Sequence, residues 1–218
     1  IANRGLAIAD IPERTKPQLI GNLDLSNTNI RAVAISGNYA YAVDGGTNDL
    51  IVIDDKDLIP EEDIVVTFTH KGYVKRLPVD TYKAQKRGGK GVKGAGTKEA
   101  DFVENLFITS THDYILFFTN RGKLYWLKAF YVPEGSRISS GKAIVNLLKL
   151  EEGEKITTLI PIKDFNKGYL TMVTRNGLIK KTQLKLFSRP RSNGIRCINL
   201  RGNDELIKAL WTDGYQKL

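Results

Sequence analysis

Three stretches of this chain share one pattern, in which apolar, β-branched and aromatic positions largely alternate with polar ones on both sides of a Thr-x-x-Gly step. They are Ile64 to Tyr82 (IVVTFTHKGYVKRLPVDTY), Tyr114 to Val132 (YILFFTNRGKLYWLKAFYV) and Tyr169 to Phe187 (YLTMVTRNGLIKKTQLKLF), with Thr69, Thr119 and Thr174 spaced by 50 and 55 residues. Alternation around a glycine turn predicts a half-buried antiparallel hairpin in each. A second element follows each hairpin: Gly91-Val92, then Gly141-Lys142-Ala143-Ile144, then Gly194-Ile195-Arg196-Cys197-Ile198, spaced by 50 and 53 residues. The last two run on into Leu147 and Leu200 and an acidic cluster, which predicts a further strand. A fourth copy is expected to begin at Asp204 and to stop just after Thr212-Asp213-Gly214.

The first quarter repeats differently. Leu6-Ala7-Ile8-Ala9-Asp10 recurs as Leu50-Ile51-Val52-Ile53-Asp54, an offset of 44 residues, with Val33 to Tyr41 and its Gly37-Asn38 turn between them. That spacing fits a four-stranded propeller blade of roughly 40 to 50 residues. No stretch carries the sustained 3.6-residue period of a long helix, so the fold class is all-β. Hairpins at Val33, Ile64, Tyr114, Tyr169 and Leu206 predict about five four-stranded blades in a single propeller-like domain, 1–218. A blade needs a neighbour on each face. The strand at 6–10 can complete the last blade and close the ring; an open fragment is the alternative.

Composition narrows the function classes. With 41% hydrophobic and 26% charged residues among 218, and no apolar run near the roughly 20 residues of a membrane helix, a soluble, cytoplasmic chain is expected, with no membrane partner. Residues 1 to 10 lack the features of a secretory signal. One cysteine, Cys197, and two histidines cannot make an intramolecular disulfide or a usual structural zinc site, so neither metal nor cofactor is expected. The net charge of +9 is unevenly placed: residues 1–56 hold five basic and seven acidic side chains, leaving 28 basic and 17 acidic beyond them. A concentrated basic surface suits a polyanion, because neutralised phosphates release counterions. A basic but merely solvated surface is the plainer alternative.

The densest charge lies between Lys71 and Lys98, with nine Lys/Arg and one acidic residue, Asp80. Within it Gln85, Lys86, Arg87, Gly88, Gly89, Lys90 and Gly91 lead into Val92, Lys93 and Gly94, with five glycines from Gly88 to Gly96. Glycine lets a backbone approach a phosphate closely, and the flanking Lys and Arg supply charge and, for Arg, bidentate geometry. The stretch is not a P-loop, since no Ser/Thr or helix follows the lysine. Its Gly89-x-Gly91-x-x-Gly94 lacks the strand–turn–helix setting of a dinucleotide site. A Gly-rich basic linker is the bland alternative.

Gln85 to Gly91, QKRGGKG, resembles the DNA gyrase A box, QRRGGKG, with Lys86 in place of one arginine. The Thr-x-x-Gly repeats likewise resemble blades of the bacterial DNA gyrase A C-terminal domain, over about residues 57–218. Residues 1–56 instead resemble a propeller repeat of the LVIVD type, so the chain reads as a hybrid, natural or engineered. The resemblance implies a β-pinwheel, a propeller variant whose perimeter wraps duplex DNA. It further implies a box needed for wrapping with the handedness that supports ATP-dependent negative supercoiling. The partners implied are duplex DNA and, in a gyrase, the rest of gyrase A together with gyrase B, with no small-molecule substrate. The box argues against the related topoisomerase IV protein, and Lys86 keeps charge but loses a bidentate donor.

If the blades stand side by side, their turns line one basic rim: Lys71, Lys75 and Arg76; Arg121 and Lys123; Arg175, Lys180 and Lys181. A second set lies in the loops matching the box: Arg137 and Lys142, then Arg189, Arg191 and Arg196. Trp126, Tyr125, Phe117 and Phe118 are read as core, which favours duplex over stacked single strands. His70, His112 with Asp113, and Cys197 form no catalytic constellation, so no catalytic residue is assigned. The rival reading is a hybrid or engineered propeller scaffold, or protein-interaction module, without DNA-wrapping activity.

Overall fold

In each of the three repeats the Thr-x-x-Gly step closes a hairpin by the same bonds. The glycine N–H donates to the threonine carbonyl at 2.9 to 3.1 Å (Gly72 to Thr69, Gly122 to Thr119, Gly177 to Thr174). The threonine hydroxyl accepts the N–H four residues on, from Tyr73, Lys123 and Leu178, at 3.1 to 3.3 Å. Gly72, Gly122 and Gly177 sit at φ +81°, +69° and +83°, where a side chain is strained, which is why the motif ends in glycine.

The computed structural model describes residues 5–10, 18–24, 30–36, 39–44, 46–47, 50–54, 59–82 and 101–215. The chain divides into two compact units, Ile1–Glu62 and Asp63–Leu218. In the first, β1 (Gly5–Asp10) pairs antiparallel with β2 (Gln18–Asp24), and β3 (Ile30–Ser36), β4 (Tyr39–Asp44) and β5 (Leu50–Asp54) form a meander. Residues 6–10, expected to complete the last blade, thus lie in a two-stranded sheet with β2.

The second unit contains β6 (Asp63–Thr69), β7 (Tyr73–Pro78), β8 (Val103–Ser110), β9 (Tyr114–Thr119), β10 (Lys123–Lys128) and β11 (Lys142–Ala143). It continues with β12 (Ile156–Ile162), β13 (Tyr169–Thr174), β14 (Ile179–Gln183), β15 (Ile195–Arg196) and β16 (Leu206–Thr212). Among the described residues the only helices are short 3₁₀ turns, so the all-β expectation holds. The sheets run β8-β6-β7-β11, β12-β9-β10-β15 and β16-β13-β14. The first two hairpins therefore take their outermost strand from the next repeat: Lys142 and Ala143 pair with Val74 and Tyr73, and Ile195 and Arg196 with Leu124 and Lys123. The shared Gly-containing element is this exchanged strand. Among the described residues no strand follows β16 to form the expected hairpin at Leu206; β16 pairs with β13 as the edge strand of the third sheet, opposite β14.

The middle hairpin is buried on both faces rather than half-buried, because a sheet packs on each side of it. Ile115 and Phe117 join Ile64, Val66, Phe68 and Val74 of the first sheet, while Leu116 and Phe118 join Leu170, Met172 and Leu206 of the third. Phe117, Phe118, Tyr125 and Trp126 are buried, as expected for core. Full burial of one such side chain contributes about 1.5–3 kcal/mol.

Candidate nucleic-acid interface

The turn ends of the hairpins are basic in sequence but carry their own carboxylates in the fold. Each turn threonine donates its hydroxyl to an acid from further along the chain: Thr69 to Asp101, Thr119 to Glu154 at 2.7 Å, and Thr174 to Asp204. Asp101 and Asp204 also accept turn N–H groups, from Lys71 and Asn176, each at 3.0 Å. Burial opposes ionisation of Asp101, yet these bonds together hold its carboxyl below the usual range; the Thr174 bond leads the same shift in Asp204.

The basic turn residues have partners as well. Arg121 and Lys123 share Glu151, at 3.3 and 2.6 Å, and Arg175 pairs with Glu205 at 2.5 Å. The Glu151 bond raises the pKa of Lys123 and lowers that of Glu151. Lys71 is exposed. The Nζ of Lys180 donates to the Cys197 carbonyl at 2.8 Å, and that of Lys181 to the Gly214 carbonyl at 3.0 Å.

Two expected rim residues are structural instead. Lys75 is only 3% exposed, and its ammonium donates to the carbonyls of Ser136, Arg137 and Ser139. The side chain of Arg76 is 15% exposed; its Nε donates to the Val132 carbonyl at 2.9 Å and its guanidinium pairs with Glu134 at 3.6 Å. Both tie β7 to the incoming segment of the next repeat. Trp126, which occupies the Arg76 position of the second hairpin, does the same through Nε1 to the Phe187 carbonyl at 2.8 Å.

The loops along the outer edges differ in charge. Residues 133–141 run beside β7, with Arg76 bridged to Glu134, and then enter β11; the 188–194 loop leads into β15 on the edge of β10. Arg189, Arg191 and Arg196 are exposed, and Arg137 and Lys142 are half-buried. Among the described residues no carboxylate pairs with any of these five. Gln85, Lys86, Arg87, Gly88, Gly89, Lys90, Gly91 and Lys93 lie outside the described residues.

No catalytic or metal constellation appears among the described residues. Asp113 is occupied by the Thr109 hydroxyl and the Ser110 N–H, and His70 pairs with Glu104. No group of three or more His, Cys, Asp or Glu could hold a metal ion, and no helix is long and apolar enough to cross a membrane. Cys197 is 1% exposed, and burial pushes its thiol up to about 12.

A family model described as DNA gyrase C-terminal domain, beta-propeller, matches residues 63–110, 113–163 and 168–210, and an LVIVD repeat model matches 29–54. The DNA gyrase A protein of Clostridium acetobutylicum is 49% identical over 174 residues, which is 79% of this chain and 21% of that protein. The gyrase A protein of Fibrobacter succinogenes is 51% identical over 158 residues, 72% of this chain and 17% of that protein. The chain thus spans about a fifth of the length of the curated relatives it matches. Among solved structures, the C-terminal domain of a DNA topoisomerase IV superposes with a TM-score of 0.61 at 33% identity, covering 72% of this chain and 48% of that one. A DNA gyrase A C-terminal domain gives 0.55 at 30% identity, covering 70% and 49%.

Proposed function

The chain belongs to the DNA gyrase C-terminal domain family of β-propellers, and from that premise we propose that it binds duplex DNA without sequence specificity and bends it along the outer edges of its blades. The observation that carries this is the separation of charge. Arg121, Lys123 and Arg175 at the turns are paired with carboxylates that a phosphate would have to displace, and Lys180 and Lys181 donate to backbone carbonyls, whereas Arg137, Lys142, Arg189, Arg191 and Arg196 line the outer edges with no carboxylate partner among the described residues. A cation without an internal partner gives its full counterion release to the DNA. In sequence the box corresponds to these outer-edge loops in the first repeat, since it leads to Gly91 as they lead to Gly141 and Gly194. Lys86, Arg87 and Lys90, with Gln85, Gly88, Gly89, Gly91 and Lys93, would extend the same track.

With phosphates as the main contacts, preference follows the bendability of the sequence rather than its bases. In a whole topoisomerase the bent segment would support negative supercoiling, with strand cleavage and ATP hydrolysis supplied by the rest of gyrase A and by gyrase B. The test is a salt titration of binding to a duplex of about 40 base pairs. Neutralising Lys86, Arg87 and Lys90 together should lower the salt slope by about three; an unchanged slope rejects the box assignment. The LVIVD match beside gyrase blades favours a second reading, a hybrid propeller scaffold. Failure to retain duplex at moderate salt would select it.

A further inference from the structure

Burying an ammonium costs several kcal/mol unless its donors are satisfied. At Lys75 they are: its three N–H bonds go to Ser136, Arg137 and Ser139 carbonyls at 2.9, 3.0 and 2.7 Å. All three acceptors belong to one loop, 133–141, contributed by the next repeat, and no carboxylate takes part. The loop is draped over the lysine stem. A Cβ on Gly135 would lie 3.0 Å from Lys75 Cδ, and one on Gly141 would lie 2.5 Å from the Val74 carbonyl oxygen. Ser139 closes the loop from within, through its N–H and its hydroxyl to Ser136.

This arrangement fixes three peptide planes. A trans peptide points its N–H opposite to its C=O, and the chain contains no cis peptide among the described residues. Carbonyls 136, 137 and 139 face inward to Lys75, so the N–H groups of Arg137, Ile138 and Ser140 face away from it. None of these three has an acceptor within the described residues. They share the turn with Arg137, whose guanidinium has no ion-pair partner among the described residues, and Ile138 is 86% exposed. Outward backbone N–H groups without an internal acceptor, in the same turn as an arginine without an ion-pair partner, are donors that an anion can take.

We propose that the 133–141 loop is a preformed phosphate cradle that takes a DNA backbone phosphate. Its donors are the Arg137 guanidinium and the N–H groups of Arg137, Ile138 and Ser140, and Lys75 is its positioning residue. The cradle rests on the DNA-binding reading above. It also gives the buried lysine a part in binding although Lys75 cannot reach the DNA.

The test uses the full chain, a duplex of about 40 base pairs, and the variants Lys75→Met, Arg137→Ala and the double variant. Lys75→Met should weaken binding about 3- to 10-fold and lower the salt slope by about one, as Arg137→Ala does. The double variant should bind no worse than Arg137→Ala alone. A full slope in Lys75→Met, or additive losses in the double variant, would overturn the positioning role. A second measurement on the unaltered chain does not depend on how the variants fold. The amide resonances of Arg137, Ile138 and Ser140 should move on titration with a short duplex. Duplex binding that leaves these amides in place overturns the cradle but not the DNA-binding reading; absence of any duplex binding overturns both. Amides that move with inorganic phosphate but not with DNA would make the loop a free-anion site and overturn the assignment to the DNA backbone.

Discussion

Replacing Gly122 and Gly177 by alanine, one at a time, isolates the contribution of the exchanged strand. Both glycines end the same turn, at φ +69° and +83°, so each alanine meets the same left-handed strain of about 1–2 kcal/mol, partly offset by about 0.4–1 kcal/mol from a stiffer unfolded chain. Their surroundings differ. Around Gly177 nothing lies within 4 Å of the added carbon. At Gly122 it would lie 2.7 Å from the Ile198 carbonyl oxygen and 2.9 Å from Ile198 Cγ2, atoms just beyond β15. Relieving that contact requires the segment to retreat, at about 1–3 kcal/mol. It also threatens the 2.8 Å bond from the Cys197 N–H to the Gly122 carbonyl, which contributes about 1 kcal/mol. Gly177→Ala should therefore lose about 1 kcal/mol and Gly122→Ala about 3–5 kcal/mol, a gap of at least about 4 °C in Tm for a chain of this size. Urea and thermal unfolding followed by tryptophan fluorescence read both values. Equal losses in the two variants would refute the exchanged-strand account of the turn.

Glu151→Gln removes the carboxylate shared by Arg121 and Lys123 and should leave duplex affinity and its salt dependence nearly unchanged, because the DNA runs along the outer-edge loops; several-fold tighter binding would mean that the turn ends meet phosphate. The acid limb of stability should depend on Asp204. Its carboxyl is held below the ordinary value of 3.8 in the folded chain, so its contribution is complete above that value and is lost as pH falls through the lowered one. Asp204→Asn should flatten that limb, and an unaltered acid midpoint would contradict the bond network drawn for the turn. Cys197, buried and with its thiol pushed up to about 12, should resist thiol reagents at pH 8 until the blade opens. Complete labelling of the native chain within minutes would place it elsewhere.

Much of the fold was legible because each blade repeats a chemical necessity. The Thr-x-x-Gly step announced the hairpins, and aromatic residues around Phe117 announced the core. The strand exchange was not legible: β11 and β15 are two residues long, and periodicity says nothing about which sheet such a strand joins. Lys75 and Arg76 misled for a related reason. A Lys-Arg pair beside a turn reads as surface, and the carbonyls that bury it lie 56 to 64 residues away. Aligning the repeats held a clue, since Tyr125 and Trp126 occupy the same two positions in the second hairpin and are core. Two of the acids that cap the turns, Glu154 and Asp204, were visible only within acidic clusters and Asp101 not at all, because the three follow their threonines at unequal distances.

The claim that DNA follows the outer-edge loops rather than the turn ends is tested most directly by two grouped variants measured against one duplex. In the first, Arg137, Lys142, Arg191 and Arg196 become glutamine; in the second, Arg121, Lys123 and Arg175 do. The account predicts that the salt slope falls by about three to four in the first and by no more than about one in the second. A larger fall in the second, or equal falls in both, would put the DNA on the turn ends and contradict it.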